Sequence, residues 1–459
     1  MAKMTVDELK RKMNLTNNKN IRAEHNCHSR IFPFYTRNPD RVKFLDDFNE
    51  IVGMVVRESI GLDSAIEINN EKIYQYLSMN IENQLDESTL KNIFNVDFGN
   101  LQDPYLFKYY PVLNFTKTQK DELRGKKALT TYIVKLLKLN INDEWKNFFV
   151  NIKHNNLYEE IIRSSFEDNI ENHEIKNKDE FYIFPEIIDI DIFNRDLKVL
   201  MSDKKIFVDN ISLLISYYLF YYIIQLTYRL LQNDFSKPFD MYFSYDKEKI
   251  SSSRLCVKKG YKIINELSNN LLVDNDLVDY LNILSENDTF RSFDEMIHDK
   301  NNLHILGKNI IDFNYLFYKS LEAELSDPII IEKLKYDNVQ NLETQITQLR
   351  SYIKTNIDHA TETRYRKSFD EFVSLTFIKH RGRLGYTFNA TQELILLFTS
   401  VIVPKKEKIL LKDLFREFEK RGIKFDNQTK KEIVKFYESI NILEKLSDSG
   451  DAQYVKSIL

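Results

Sequence analysis

The chain has 459 residues, of which 43% are hydrophobic, 29% charged, and only 10 are Gly and 8 Pro. At roughly 150 residues per domain this is a folded protein of about three domains, and so little glycine argues against a doubly wound sheet, a TIM barrel or a propeller. A formal charge of −4 gives no overall pull toward nucleic acid, and two cysteines, Cys27 and Cys256, exclude a disulfide framework and a zinc cage of several thiolates.

The expectation is therefore a mainly α protein: a helical N-terminal body carrying a C-terminal winged-helix domain. No apolar run follows Met1-Ala2-Lys3-Met4, so no secretory signal is read there and a cytoplasmic location is expected. His25-Asn26-Cys27-His28 is the nearest approach to a metal cluster. Neighbours at that spacing rarely point to one ion, so no metal is expected.

Phe44, Leu45, Phe48, Ile51, Val52 and Val55 keep the spacing of an amphipathic helix, and Tyr132, Ile133, Leu136, Leu137 and Leu139 suggest another. Ile183 to Phe193, around Pro185, is the best strand candidate. Asp189 with Asp196-Leu197-Lys198, or Asp203-Lys204-Lys205, superficially fits the carboxylates and lysine of a Mg²⁺ nuclease. In a chain this rich in Asp and Lys such triples arise by chance, so nuclease chemistry stays a remote third reading.

Ile211 to Tyr228 carries no charge and is long enough to span a membrane. Half of it can hydrogen-bond, including Tyr217, Tyr218, Tyr221, Tyr222 and Gln225, which predicts the central helix of a soluble bundle instead. Further helices are expected over Leu255–Leu284 and Ile305–Leu325. From about Ile329 a longer one should run, with Val339, Leu342, Ile346, Leu349 and Ile353 in coiled-coil steps for about two heptads. Its plain reading is packing against its own domain. Its functional reading makes Leu342, Ile346, Leu349 and Ile353 a partner-docking face.

Charge then changes. Residues 354–459 carry 20 Lys and Arg against 15 Asp and Glu, and Arg364, Arg366, Lys367, Lys379, Arg381 and Arg383 form a basic approach to the last domain. Gly382-Arg383-Leu384-Gly385 resembles a GXXG nucleic-acid clamp without the flanking pattern of a KH domain, and reads as a basic turn.

The last seventy residues read as three helices and a hairpin. Asn389-Ala390-Thr391-Gln392 opens the first helix, and Leu394, Leu397, Phe398, Val401 and Ile402 line it up to Pro404. Leu411, Leu414, Phe415 and Phe418 line the second, which ends at Gly422. Asp426 caps the third, with Ile433, Phe436, Tyr437 and Ile440 on its buried face. Strands over Ile442–Leu446 and Tyr454–Ile458 flank the turn Ser447-Asp448-Ser449-Gly450-Asp451. This is the winged-helix order. The third helix offers Lys430, Lys431 and Lys435, with Arg381 and Arg383 nearby, for duplex DNA or for a partner. It has no arginine to grip a guanine, and two acids stand in the wing, so a protein partner is favoured. The expected divisions are 1–200, 201–328, 329–388 and 389–459, the last with a core of its own and therefore removable.

No phosphate-binding loop occurs, since Gly307-Lys308 lacks the earlier glycine, and His173-Glu174 does not continue to a second histidine. No catalytic residue and no cofactor are expected. Lys412-Asp413-Leu414-Phe415-Arg416-Glu417-Phe418-Glu419-Lys420-Arg421-Gly422-Ile423, followed by Leu443 to Val455, resembles the C-terminal end of the DptG family of DNA phosphorothioation-dependent restriction proteins. The resemblance covers roughly residues 390–459. It implies an accessory role beside the companion proteins DptF and DptH, which carry the ATPase and helicase-like chemistry, in restricting DNA that lacks the phosphorothioate mark. The alternative is a stand-alone winged-helix regulator.

Overall fold

The computed structural model describes the chain apart from residues 1–3, 16–20, 28, 38–41, 43–47, 64–69, 81–87, 90–102, 111–118, 151–156, 167–180, 233–236, 288, 300–302, 322–341, 374–375, 404, 446–452 and 459. It is mainly helical. The start of the helix expected from Ile329, with Val339, and the turn Ser447–Asp451 lie outside the described residues, as does His28.

The helix Lys204–Gln232 is the axis of the fold. Length and composition would let it cross a membrane, yet most of its apolar stretch is buried inside the protein. Several of its polar groups find partners there. The Tyr217 hydroxyl donates to the Arg421 carbonyl at 2.6 Å, Tyr218 donates to Asp196 Oδ2 at 2.7 Å, and Tyr222 accepts from the Phe184 amide at 2.9 Å. Gln225 exchanges two hydrogen bonds of 2.8 Å with the backbone of Phe239. Tyr217, Tyr218 and Tyr222 are thus built to be surrounded by protein, where their hydroxyls meet fixed partners.

The helices Asn49–Ser59 and Gln119–Leu136 pack against this axis and each other. The strand expected over Ile183–Phe193 is not formed. Asp189 accepts hydrogen bonds from the amides of Asp191 and Ile192 and caps a helix, Ile190–Met201, leaving one isolated bridge between Phe181 and Arg30. An Asp before an apolar 3.6-residue period overrides the irregular alternation around Pro185.

The helix Leu271–Leu284 also touches the axis and is buried all round. The helices Leu303–Leu321 and Leu342–Asn356 pack on it and on each other. Ile346, Leu349, Tyr352 and Ile353 are buried in that contact and Leu342 is partly buried. The docking face expected on this helix is therefore consumed by the chain's own core, and its outward side carries Glu343, Thr347 and Ser351.

A four-stranded sheet ties the body to the C-terminal part. β1 (Tyr242–Tyr245) pairs in parallel with both β3 (Tyr386–Ala390) and β5 (Lys424–Phe425), and β2 (Ile378–His380) adds to β3 in antiparallel register. The boundary expected at residue 389 falls within β3. Asn389 belongs to that strand, and the following helix, Gln392–Ile402, is capped by Thr391. After it come β4 (Lys408–Leu410), the helix Leu411–Lys420, β5, the helix Asn427–Ser439, β6 (Leu443–Lys445) and β7 (Gln453–Lys456). β4, β7 and β6 form a second, antiparallel sheet in that order.

The C-terminal part shares its core with the body. Its core side chains Phe398, Leu414, Phe418 and Ile433 belong to the same buried cluster as the central helix. Gly422 turns at φ +80°, and a Cβ there would stand 2.1 Å from the Tyr221 ring, so both conformation and space require glycine where it meets the central helix.

Candidate functional site

The chemistry-bearing residues of the C-terminal part gather where β1, the segment after it and the start of the helix Asn427–Ser439 meet. Asp426 caps that helix, accepting from the amides of Gln428 and Thr429. Arg254 clamps the same carboxylate with Nε and Nη2, each at 2.7 Å, and Nη2 also reaches Thr429 Oγ1 and Glu248 Oε2. Glu248 in turn accepts from the Tyr245 amide and from Thr429. Burial works against the charge on Asp426, but Arg254 and the Thr429 amide outweigh it and hold the carboxyl below its usual range. Charge-assisted bonds of this length make the start of the helix rigid.

Beside the clamp an open cleft of about 540 Å³ is lined by Tyr242, Arg254, Leu255, Glu419, Lys424 and Lys430, among others. Its cations are already matched: Lys424 meets Asp240 at 2.6 Å and Lys430 meets Glu419 at 3.3 Å.

The residues expected to read DNA or dock a partner separate into two kinds. Lys435 is held by Glu432 at 2.9 Å, and Lys445 covers Glu438 at 2.7 Å. Lys431 is exposed and, among the described residues, makes no ion pair. Arg381 is structural. Its guanidinium donates to the carbonyls of Tyr245, Asp246 and Glu248 and to the side chains of Ser244 and Asn389. Arg383, two residues on, is exposed at the tip of the β2–β3 hairpin. One helix lysine and one hairpin arginine are thus free, which is little for a reader of base sequence.

The acids that suggested a nuclease do not converge. Asp196 is fully buried and bound by Arg421 at 2.5 and 2.8 Å, whereas Lys198 lies on the surface against Glu144. Asp189 and Asp203 each cap the start of a helix, and Lys204 reaches away to Asp103.

His25 and Cys27 meet the buried polar helix Leu271–Leu284. His25 Nδ1 lies 2.6 Å from Asp276, and Asp279 accepts from the amides of Cys27 and Ser29. Among the described residues no group of three or more His, Cys, Asp or Glu is placed to hold a metal. Burial pushes the Cys256 thiol up to about 11 and Cys27 higher still, so neither is a thiolate at neutral pH.

Sequence reading missed Arg254, Glu248 and the Asp196–Arg421 pair, since their partners lie 172 to 225 residues away. No protein-family model matches the chain, and no curated protein matches it.

Proposed function

We propose that this chain is a non-catalytic platform subunit of a DNA phosphorothioation-dependent restriction complex, working with the companion proteins DptF and DptH on double-stranded DNA in the cytoplasm. In this reading the helices Gln392–Ile402, Leu411–Lys420 and Asn427–Ser439, with the β4–β7–β6 sheet, are a winged helix that docks protein.

One observation carries the reading. The terminal module is fixed to the body by the buried Arg421–Asp196 pair and by strand pairing, while its third helix keeps only Lys431 unpaired among Lys430, Lys431 and Lys435. A rigid mount with weak DNA-reading chemistry suits a subunit that presents a surface to partners. A stand-alone regulator would need several free cations on that helix to neutralise phosphate. The C-terminal resemblance supports the choice of system.

The test is restriction in cells. Unmodified plasmid should transform a strain lacking this chain far better than its parent, and phosphorothioated plasmid should transform both equally. Equal restriction of unmodified plasmid with and without the chain contradicts the proposal.

A further inference from the structure

Two stretches of the chain, 249–265 and 372–392, contain no acidic residue, although Asp and Glu make up 69 of the 459 residues. They are far apart in sequence and packed together in the fold. The short helices Leu255–Lys258 and Tyr261–Leu267 lie against β3, and the Tyr261 ring meets Tyr386 edge-on at 6.4 Å.

The corner between those helices is tight. A Cβ on Gly260 would stand 1.8 Å from the Cys256 carbonyl oxygen, so the turn is set by backbone contact. Lys258 and Lys259, just before it, are exposed and make no ion pair among the described residues. The strand that these helices pack on, β3, is half of the β2–β3 hairpin, which Arg381 anchors. Its tip turns through Gly382 at φ +61° and Gly385 at φ +75°, with open space around both, and carries the exposed Arg383. At its edge Tyr386 is 51% exposed, with the His380 ring 4.9 Å away. Acids in the adjoining segments are already paired: Glu266 faces Lys262, Asp370 faces Arg366 and Asp246 faces Lys379.

Free cations around an exposed aromatic ring on a rigid support are what a single strand of nucleic acid uses. The charges track its phosphates, and the ring stacks on a base that a duplex would keep inside its own stack. We propose that this corner binds single-stranded DNA, with Lys258, Lys259 and Arg383 on the backbone and Tyr386 on a base. This deepens the reading above by naming a ligand for the chain itself, and takes from that reading only that the nucleic acid is DNA.

The purified full chain is titrated, by fluorescence anisotropy, into labelled oligothymidine of about 20 nucleotides at low and moderate salt. A duplex and an oligouridine of the same length run beside it. Oligothymidine should bind more tightly than either. Tyr386→Ala should weaken it about tenfold, the scale of one base–aromatic stack, and leave the duplex unchanged. Tyr386→Phe keeps the ring and should bind like the parent. Lys258→Glu with Lys259→Glu should weaken both DNAs and flatten the salt dependence. Melting curves of each variant should overlay the parent, since all three side chains are exposed or half-exposed. The proposal is overturned if Tyr386→Ala changes oligothymidine binding less than twofold, if Tyr386→Phe loses as much as Tyr386→Ala, or if the duplex or the oligouridine binds better. No partner protein is present, so this result and assembly of the complex succeed or fail separately.

Discussion

Asp196→Ala removes one partner of the bond that joins the helix Ile190–Met201 to the C-terminal part. Asp196 is fully buried and accepts from Arg421 Nε at 2.8 Å, from Nη2 at 2.5 Å and from the Tyr218 hydroxyl at 2.7 Å. The substitution leaves a buried guanidinium and a buried hydroxyl short of an acceptor. Breaking such a pair costs about 3–5 kcal/mol, and the lower end applies because Glu417 stays 3.0 Å from Arg421 Nη1. At about 2 °C per kcal/mol for a large cooperative unit, melting should fall by roughly 6 °C. Arg421→Ala should cost a similar amount, and the double variant should cost less than the two together by at least about 1 kcal/mol. Urea unfolding of the four proteins measures all of this. Strict additivity, or a loss below about 0.5 kcal/mol for Asp196→Ala, would refute the claim that this pair fastens the C-terminal part. Loss of any DNA cleavage in Asp196→Ala would accordingly report on folding, so a test of nuclease chemistry belongs at Lys198, which is exposed.

Ending the chain before residue 390 should yield an insoluble or protease-sensitive body, because it strips β5 from β1 and uncovers Tyr217, Tyr218 and Asp196; a soluble fragment with the parent's helical signal would count against the shared core. Leu349→Ala should lower stability by about 2–5 kcal/mol, as a core truncation does, without changing partner capture by the folded fraction; selective loss of capture would restore the docking role of that helix. Burial lifts the Asp274 carboxyl to about 6, against the pull of Arg350. Folding therefore favours its protonated form, and this contribution to stability is lost as pH rises from about 4 through 6. Asp274→Asn should gain on the parent by about 2 kcal/mol between pH 4 and pH 7.5 in urea midpoints, and a difference independent of pH would contradict the burial argument. The purified chain alone should neither hydrolyse ATP nor cut DNA with Mg²⁺, which a phosphate-release assay and a plasmid-nicking assay check directly.

Much of the helical order was legible because apolar spacing is local. The period of Leu394–Ile402 and the turn at Gly422 are written in adjacent residues, and so is the cap at Asp426. The central helix was readable for the same reason: its tyrosines show that it needs hydrogen-bonding neighbours, though not which ones. What failed was long-range. The Leu342–Ile353 stripe looks identical whether it faces a partner or the helices Leu271–Leu284 and Leu303–Leu321, and only the fold decides that it is spent internally. β1 was invisible because four residues, Tyr242–Tyr245, gain their strand character from β3 and β5 on either side. Charge composition was misleading one residue at a time. Arg381 and Arg383 look alike in sequence, yet one is bonded to the backbone of 245–248 and the other stands in solvent.

The central claim is that the chain works as a subunit. Tagging it at its own genomic locus and purifying it at moderate salt, after nuclease treatment, tests that most directly. Two companion proteins of the ATPase and translocase type should co-elute in fixed proportion and stay bound once DNA is digested. Elution of the chain alone, or with companions that vanish with the DNA, would contradict a platform subunit and favour the stand-alone regulator.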